Sequence, residues 1–148
     1  KDELVELLDY LLPEGPLFRS EDYTGKVFVD ESDASCLEMP MAVLVDADSY
    51  SAAEFFAAAL DEYDVAVVVG QPTSGKGYFQ STFELDDGSA VTISVGKYTT
   101  PNGVSLADAG ITPEILVEVD EQTAAQIYAG VVAPAEDPQI QAAITALS

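Results

Sequence analysis

Two residues of this chain have the side chains needed for nucleophilic chemistry. Ser51 stands at the start of a predicted helix, and Lys76 lies between two glycines further along the chain. The chain contains no histidine, so the imidazole that usually activates a serine hydroxyl is missing. A neutral lysine amine is a known substitute, and the Ser-Lys pair is an established variant of the serine triad. The sequence therefore predicts Ser51 as a nucleophile and Lys76 as its general base.

Ser51 begins the segment Ser51-Ala52-Ala53-Glu54, which has the pattern of a helix capping box. A structural cap is therefore one interpretation of this serine. A functional role is compatible with that cap, because free amides and the positive end of the helix dipole stabilise developing negative charge. Ser49 is an alternative nucleophile, and the position at the helix start favours Ser51.

The loop from Gly70 to Gly77 is close to a phosphate-binding P-loop, but it departs from that motif twice. Gly77 stands where the motif needs Ser or Thr, and an alternating strand pattern follows where the motif needs a helix. Lys76 is then either a surface turn lysine or a base that its flanking glycines bring close to another element. Gln80 can orient that amine through its side-chain amide, or be an ordinary strand residue.

The predicted elements around these residues form a βαβ unit. Met41 to Val45 and Val65 to Val69 are short apolar runs typical of buried strands, and Ser51 to Tyr63 has the pattern of an alanine-rich amphipathic helix between them. Two such strands joined by a helix are expected to be parallel and covered on both faces. Ser51 and Lys76 follow the first and second strands, respectively.

The rest of the chain predicts a β-hairpin and several flanking elements. Tyr78 to Leu85 and Ala90 to Val95 alternate with period two around an Asp-Gly turn step. The remaining predictions are a helix over residues 4–12, short strands over 17–19 and 26–29, a turn over 98–103, a strand over 115–119, and helices over 121–128 and 138–147.

Composition limits the class of protein. With 148 residues, of which 48% are apolar, the chain fits one domain, and no apolar run reaches membrane-spanning length. It has 27 acidic against 5 basic residues, for a net charge of −22. Such a surface repels phosphate backbones and anionic lipids, so we expect neither nucleic acid nor a membrane surface as a partner. The lack of a long apolar run predicts no direct membrane insertion by this segment.

Several segments together resemble one known family, the carboxy-terminal processing peptidases, also called tail-specific proteases. The strongest stretches are Val43 to Glu54 and the segment Gly70 to Gln80, with Gly75-Lys76-Gly77 and Gln80 in register. Shorter similarities follow at residues 87–89, 98–103, 110–114 and 137–139.

This resemblance implies an α/β fold with a crotonase/ClpP-like core that contains the βαβ unit and the β-hairpin. It also implies a serine endopeptidase that cuts proteins near their C-termini, with Ser51 as nucleophile, Lys76 as base and Gln80 as the support for the lysine. The amide of Ala52 is the implied oxyanion donor. The implied partner is a protein or peptide substrate, with no metal or cofactor, and the implied location is extracytoplasmic. The resemblance does not decide whether the protein forms a homo-oligomer.

Residues 1–148 are expected to be a partial catalytic domain. Members of the family carry a PDZ domain and a glycine-rich oxyanion segment before the helix that begins near residue 4, and neither is present in this sequence. Since a lost oxyanion donor costs on the order of 100- to 1000-fold in turnover, we expect the 148 residues alone to be nearly inactive.

Two alternatives from other classes stay open. The first is a catalytically silent peptide-binding or scaffolding relative of the same fold. The second is a crotonase-like acyl-CoA enzyme, which the net charge of −22 disfavours because coenzyme A is itself anionic.

Overall fold

The computed structural model covers residues 1–148 and is a mixed α/β fold with two sheets. Its elements in chain order are α1 (Asp2–Leu11), β1 (Gly15–Asp22), β2 (Val27–Ser32), β3 (Met41–Val45), α2 (Ala52–Glu62), β4 (Ala66–Gly70), β5 (Tyr78–Glu84), β6 (Ala90–Thr99), β7 (Ile115–Leu116), α3 (Glu121–Tyr128) and α4 (Pro138–Ala146). None of the four helices has the length and apolar character that spanning a bilayer requires.

The predicted βαβ unit is confirmed. Strands β3 and β4 pair in parallel from Met41 opposite Ala66 to Val45 opposite Gly70, and α2 connects them. Helices α2 and α4 both pack against these strands. The prediction that both strands are covered on both faces holds for β4 but is wrong for β3, where Leu44 is 42% exposed. The reason is that Leu44 lines an open groove with Leu7 of α1 and Phe56 of α2, so the helices do not close over this part of the sheet face.

The predicted hairpin is confirmed as β5 and β6, which belong to a four-stranded antiparallel sheet of order β2-β1-β6-β5. Strand β6 runs on to Thr99, because Arg19 and Ser20 of β1 pair with its last two residues. The turn predicted from residue 98 therefore begins only at Thr100, whose carbonyl accepts from Gly103 N at 2.8 Å. The strand predicted over 115–119 is reduced to two paired residues.

The main hydrophobic core lies between α1, α2 and the four-stranded sheet. Its buried side chains include Leu8 of α1, Leu12 directly after that helix, Phe18 from β1, Phe55 from α2 and Tyr98 from β6. Because Phe55 lies four residues after Ser51, the start of α2 is anchored directly to this core.

Candidate active site

Ser51 is the N-cap residue of α2, at a sharp turn between β3 and the helix. Its backbone has φ 57° and ψ −121°, a region that residues other than glycine rarely enter. Holding a residue there costs roughly 1–3 kcal/mol, and such strain is concentrated at functional sites. The side chain is partly buried, and the free amides of the helix start lie beside it.

The hydroxyl of the alternative nucleophile, Ser49, is hydrogen-bonded within the turn that precedes the helix. Its hydroxyl donates to Asp46 Oδ1 at 3.0 Å and accepts from Asp46 N at 3.0 Å. The Ser49 side chain thus stabilises the turn that precedes Ser51, and this arrangement favours Ser51 as the nucleophile.

A buried carboxylate joins the two halves of the site. The Glu54 side chain is fully buried. Its Oε1 accepts from Ser51 N at 3.0 Å and from Lys76 N at 2.6 Å. Its Oε2 accepts from Thr73 Oγ1 at 2.8 Å and from Gly75 N at 2.9 Å. The helix start and the lysine loop are therefore hydrogen-bonded to the same carboxylate. Its four hydrogen-bond donors offset the cost of burying the carboxylate.

Sequence reasoning identified Glu54 as the glutamate of a capping box but not as a residue of this site. The capping bond to Ser51 N is present. The bonds to the lysine loop were not predictable from a local motif, since they join residues that are 19 to 22 positions apart. A glutamate at the start of an otherwise alanine- and phenylalanine-rich helix was the available signal.

The lysine loop is shaped by close contacts at its glycines. Gly75 has φ +85°, and its carbonyl accepts from Asp108 N at 2.9 Å. A β-carbon at Gly77 would lie 2.6 Å from the backbone nitrogen of Ala107. The amides of Gly75 and Lys76 donate to Glu54, so they are not free to bind a phosphate as the amides of a P-loop do.

The Lys76 backbone is held on both sides, while its side chain is free. Its amide donates to Glu54, and its carbonyl accepts from the Tyr98 hydroxyl. The partly buried side chain makes no salt bridge, and its Nζ lies 6.0 Å from the ring centroid of Tyr50. No hydrogen bond joins Lys76 Nζ to Ser51 Oγ in this structure.

The two other residues named from the sequence lie at the edges of the site. Gln80 is exposed in β5 opposite Ser94, next to a β-bulge, and its side chain makes no hydrogen bond to Lys76. Ala52 is the exposed first residue of α2, so its amide has no partner within the helix. That amide is available to an incoming carbonyl oxygen.

An apolar cavity of about 160 Å³ lies beside Ser51. Its lining residues come from α1, α2 and the four-stranded sheet and are Lys1, Leu4, Phe18, Ser51, Ala52, Phe55, Phe79 and Tyr98. Burial raises the pKa of the Tyr98 hydroxyl above its ordinary value; the nearby Ser51 side chain opposes this shift, and the Glu54 charge adds to it. No group of acidic, histidine or cysteine side chains is arranged to hold a metal ion.

Comparison with known proteins gives consistent matches. The model of Peptidase family S41 matches residues 1–117. A carboxyl-terminal-processing protease of Synechocystis sp. is 35% identical over 146 residues, which cover 97% of this chain and 33% of that protein. The chloroplastic carboxyl-terminal-processing peptidase 2 of Arabidopsis thaliana is 37% identical over 115 residues, which cover 76% of this chain and 22% of that protein.

A solved structure, that of a photosystem II D1 C-terminal processing protease, has the same fold. It superposes with a TM-score of 0.72 and 30% identity, over 79% of this chain and 31% of that chain. This match confirms the fold class predicted from the sequence. The chain thus spans about a third or less of the length of these relatives.

Proposed function

The chain belongs to peptidase family S41, as the resemblance seen in its sequence predicted, and from this premise we propose that it carries a Ser51–Lys76 catalytic dyad. In this proposal the protein is a serine endopeptidase that cleaves protein substrates near their C-termini. Ser51 is the nucleophile, Lys76 the general base, Gln80 a support for the lysine and Ala52 N an oxyanion donor. Residues 1–148 are then part of the catalytic domain.

One observation carries the proposal: Glu54 Oε1 accepts from the amides of both Ser51 and Lys76, at 3.0 and 2.6 Å. Two backbone amides that bond one oxygen atom place their residues side by side. The helix start and the lysine loop are far apart in sequence, and a buried charge at their junction is costly unless this geometry is maintained. The arrangement suits a pair of residues that must exchange a proton.

The chemistry follows from the positions of these groups. Ser51 Oγ attacks the scissile carbonyl carbon while its proton passes to Lys76 Nζ, which later delivers that proton to the leaving amine. The carbonyl oxygen becomes negative and is stabilised by Ala52 N and by the positive end of α2. Water then releases the acyl group from Ser51.

Lys76 Nζ must move toward Ser51 for this step. It now lies near the exposed ring of Tyr50, and the lysine side chain is flexible and unpaired. Catalytic hydrogen bonds are often long in free enzymes and shorten when substrate binds. We propose that a substrate strand that displaces Tyr50 brings the amine to the serine.

The proposed partner is an extended protein or peptide substrate, with an extracytoplasmic location and no metal or organic cofactor. The chloroplastic name of the Arabidopsis relative is compatible with a compartment outside the cytosol. The net charge of −22 continues to disfavour nucleic acid as a partner.

A catalytically silent peptide-binding relative is the second candidate. The observation that favours it is the lack of a hydrogen bond between Lys76 Nζ and Ser51 Oγ. Assembly of the dyad on substrate binding separates the two candidates, since a silent relative binds peptide without turnover.

The test is cleavage of an unstructured reporter peptide by the full-length protein and its variants. We expect Ser51→Ala and Lys76→Ala each to abolish cleavage. Ser49→Ala is the matched control, because it removes a hydroxyl two residues away that bonds only to Asp46. Cleavage lost in Ser49→Ala and retained in Ser51→Ala would contradict the choice of nucleophile. A wild-type protein that binds the reporter without cleaving it would support the silent relative.

A further inference from the structure

The ring of Tyr98 packs in the hydrophobic core, and its hydroxyl extends to the candidate active site. It lies near the end of β6 and is 5% exposed. Its ring centroid is 5.6 Å from that of Phe18 and 5.8 Å from that of Phe55. Aromatic contacts on two sides leave the ring one orientation, and the direction of the hydroxyl is set by it.

The hydroxyl of Tyr98 reaches the lysine loop. It donates to the Lys76 carbonyl, and the Tyr98 backbone amide donates to the Gly77 carbonyl at 3.0 Å. Two successive carbonyls of the loop are therefore bound by one residue of β6. Together with Glu54, which accepts from the Lys76 amide, Tyr98 holds the Lys76 backbone from the opposite side.

The same hydroxyl faces Ser51. The Tyr98 and Ser51 side chains both line the cavity of about 160 Å³, so the hydroxyl and the serine face the same space. A phenol has one proton, and that of Tyr98 is donated to the Lys76 carbonyl. Toward Ser51 the phenol oxygen therefore presents only lone pairs, so it can accept a hydrogen bond from the serine hydroxyl but cannot donate one.

We propose that Tyr98 is a positioning residue of the active site, whose hydroxyl fixes the Lys76 backbone and orients the Ser51 side chain. This inference rests on the proposed dyad of Ser51 and Lys76. Tyr98 acts through those two residues and contacts neither substrate nor leaving group. Because both sides of the Lys76 backbone are fixed, the motion that assembles the dyad is confined to the lysine side chain.

The decisive variant is Tyr98→Phe in the full-length protein, which removes one oxygen atom and keeps the packed ring. Tyr63→Phe is the matched control. Tyr63 is partly buried at the opposite end of α2 from Ser51, and its hydroxyl also donates to a backbone carbonyl, that of Pro16 at 2.9 Å. Both variants lose one tyrosine-to-carbonyl hydrogen bond, but only Tyr98→Phe removes a contact to the dyad.

Three quantities separate positioning from packing. They are kcat and KM on the reporter peptide, and the rate at which a small sulfonyl fluoride inactivates the serine, each expressed per folded molecule from circular dichroism. For Tyr98→Phe we expect kcat and the inactivation rate to fall about tenfold or more with KM within about twofold, since misplaced reacting groups lower the rate rather than ground-state binding. Tyr63→Phe should keep all three values.

Equal kcat and equal inactivation rates in Tyr98→Phe and Tyr63→Phe would overturn the role of Tyr98. A rise in KM with kcat unchanged would also overturn it, because the hydroxyl would then act in peptide binding. These outcomes differ from failure of the proposed dyad, which would appear as turnover retained in Ser51→Ala. The inactivation rate needs no peptide binding, so it reports on the serine itself even if a variant binds the reporter weakly.

Discussion

The backbone amides of Ser51 and Lys76 donate to the same atom, Oε1 of Glu54, at 3.0 and 2.6 Å. This shared acceptor couples the helix start to the loop after β4. A displacement of either residue lengthens a hydrogen bond to a fully buried charge, which is costly at low local dielectric. Stability and the geometry of the proposed dyad therefore depend on one side chain.

Replacing Glu54 by Gln should destabilise the protein and abolish turnover. The side-chain nitrogen of Gln is a donor and replaces one of the two carboxylate oxygens. In the variant, the two donors that bonded to that oxygen would therefore have no acceptor. Two buried donors left unpaired, at about 1–3 kcal/mol each, predict a loss of about 2–6 kcal/mol in the free energy of unfolding. Urea denaturation and the peptide-cleavage assay measure the two effects.

Glu62→Gln is the control for that experiment. Glu62 also accepts two hydrogen bonds, from Thr100 Oγ1 at 2.5 Å and from Asn102 N at 2.8 Å, but it is partly exposed and lies at the far end of α2. We expect a smaller loss of stability and retained turnover per folded molecule. Similar losses of turnover in Glu54→Gln and Glu62→Gln would mean that the Glu54 bonds have no special effect on the dyad.

Thr73 should show a difference between two conservative variants. Its hydroxyl donates to Glu54 Oε2 at 2.8 Å and accepts from Ile111 N at 2.9 Å, in a buried position. Thr73→Val keeps the shape and loses both bonds, so we expect it to cost about 1–3 kcal/mol of stability and to lower kcat. Thr73→Ser keeps the hydroxyl and should remain near wild type in both respects. Equal behaviour of Val and Ser would contradict a role for these bonds.

The βαβ unit and the hairpin could be predicted because their signals are local. The apolar run Met41–Val45 and the Asp-Gly turn between β5 and β6 each show their structure within a few residues. The end of β6 could not be predicted in this way. Tyr98 and Thr99 are strand residues because Arg19 and Ser20 of β1 pair with them, and this partner is about 80 positions away in the chain.

The site shows the same division between local and long-range information. Ser51 at the helix start was predictable from the segment up to Glu54, which is a contiguous motif. The contacts of Tyr98 with Lys76 and of Thr73 with Ile111 join residues 22 and 38 positions apart, and no periodicity reports them. The position of the Lys76 amine relative to Ser51 could not be predicted either, because it depends on the rotamer of a long, flexible side chain.

Gly77→Ala should displace the lysine loop and abolish turnover. A β-carbon at this position would lie 2.6 Å from Ala107 N, so the backbone must shift by several tenths of an ångström or more. Gly88→Ala is the control, because Gly88 has φ +83° in the hairpin turn but nothing within 4 Å of an added β-carbon. We expect Gly88→Ala to lower stability by about 1 kcal/mol through backbone strain and to keep kcat. Full turnover in Gly77→Ala would show that the loop tolerates the shift.

The N-cap of α3 should make a pH-dependent contribution to stability. Hydrogen bonds from the Thr123 amide and hydroxyl lower the pKa of Asp120 below its ordinary value of 3.8. A lowered carboxyl pKa adds stability that is fully present above the unfolded-state value and is lost as the pH falls through the lower, folded value. Asp120→Asn should therefore be less stable than wild type near neutral pH, and the difference should vanish in acid.

Urea denaturation of both proteins from a pH of about 6 to about 2.5 measures that difference. Glu121→Gln removes a charge from the same helical turn without removing a cap bond, so its difference from wild type controls for the change in net charge. A difference for Asp120→Asn that stays constant down to the lowest pH would contradict the linkage.

Salt should stabilise the protein at neutral pH. The net charge of −22 makes the folded chain repel itself, and added ions screen that repulsion over a distance that falls from about 10 Å at 0.1 M to about 3 Å at 1 M salt. The same ions weaken the two salt bridges, Lys1–Asp30 and Lys97–Glu21, but these are substantially exposed and contribute at most about 1 kcal/mol each. The repulsion among many carboxylates is the larger effect, so we expect Tm to rise by several degrees between low salt and about 1 M NaCl.

Near pH 4.1, the isoelectric point, the net charge is close to zero and the same addition of salt should leave Tm almost unchanged. A rise of equal size at both pH values would show that salt acts through burial of apolar surface instead of through charge screening.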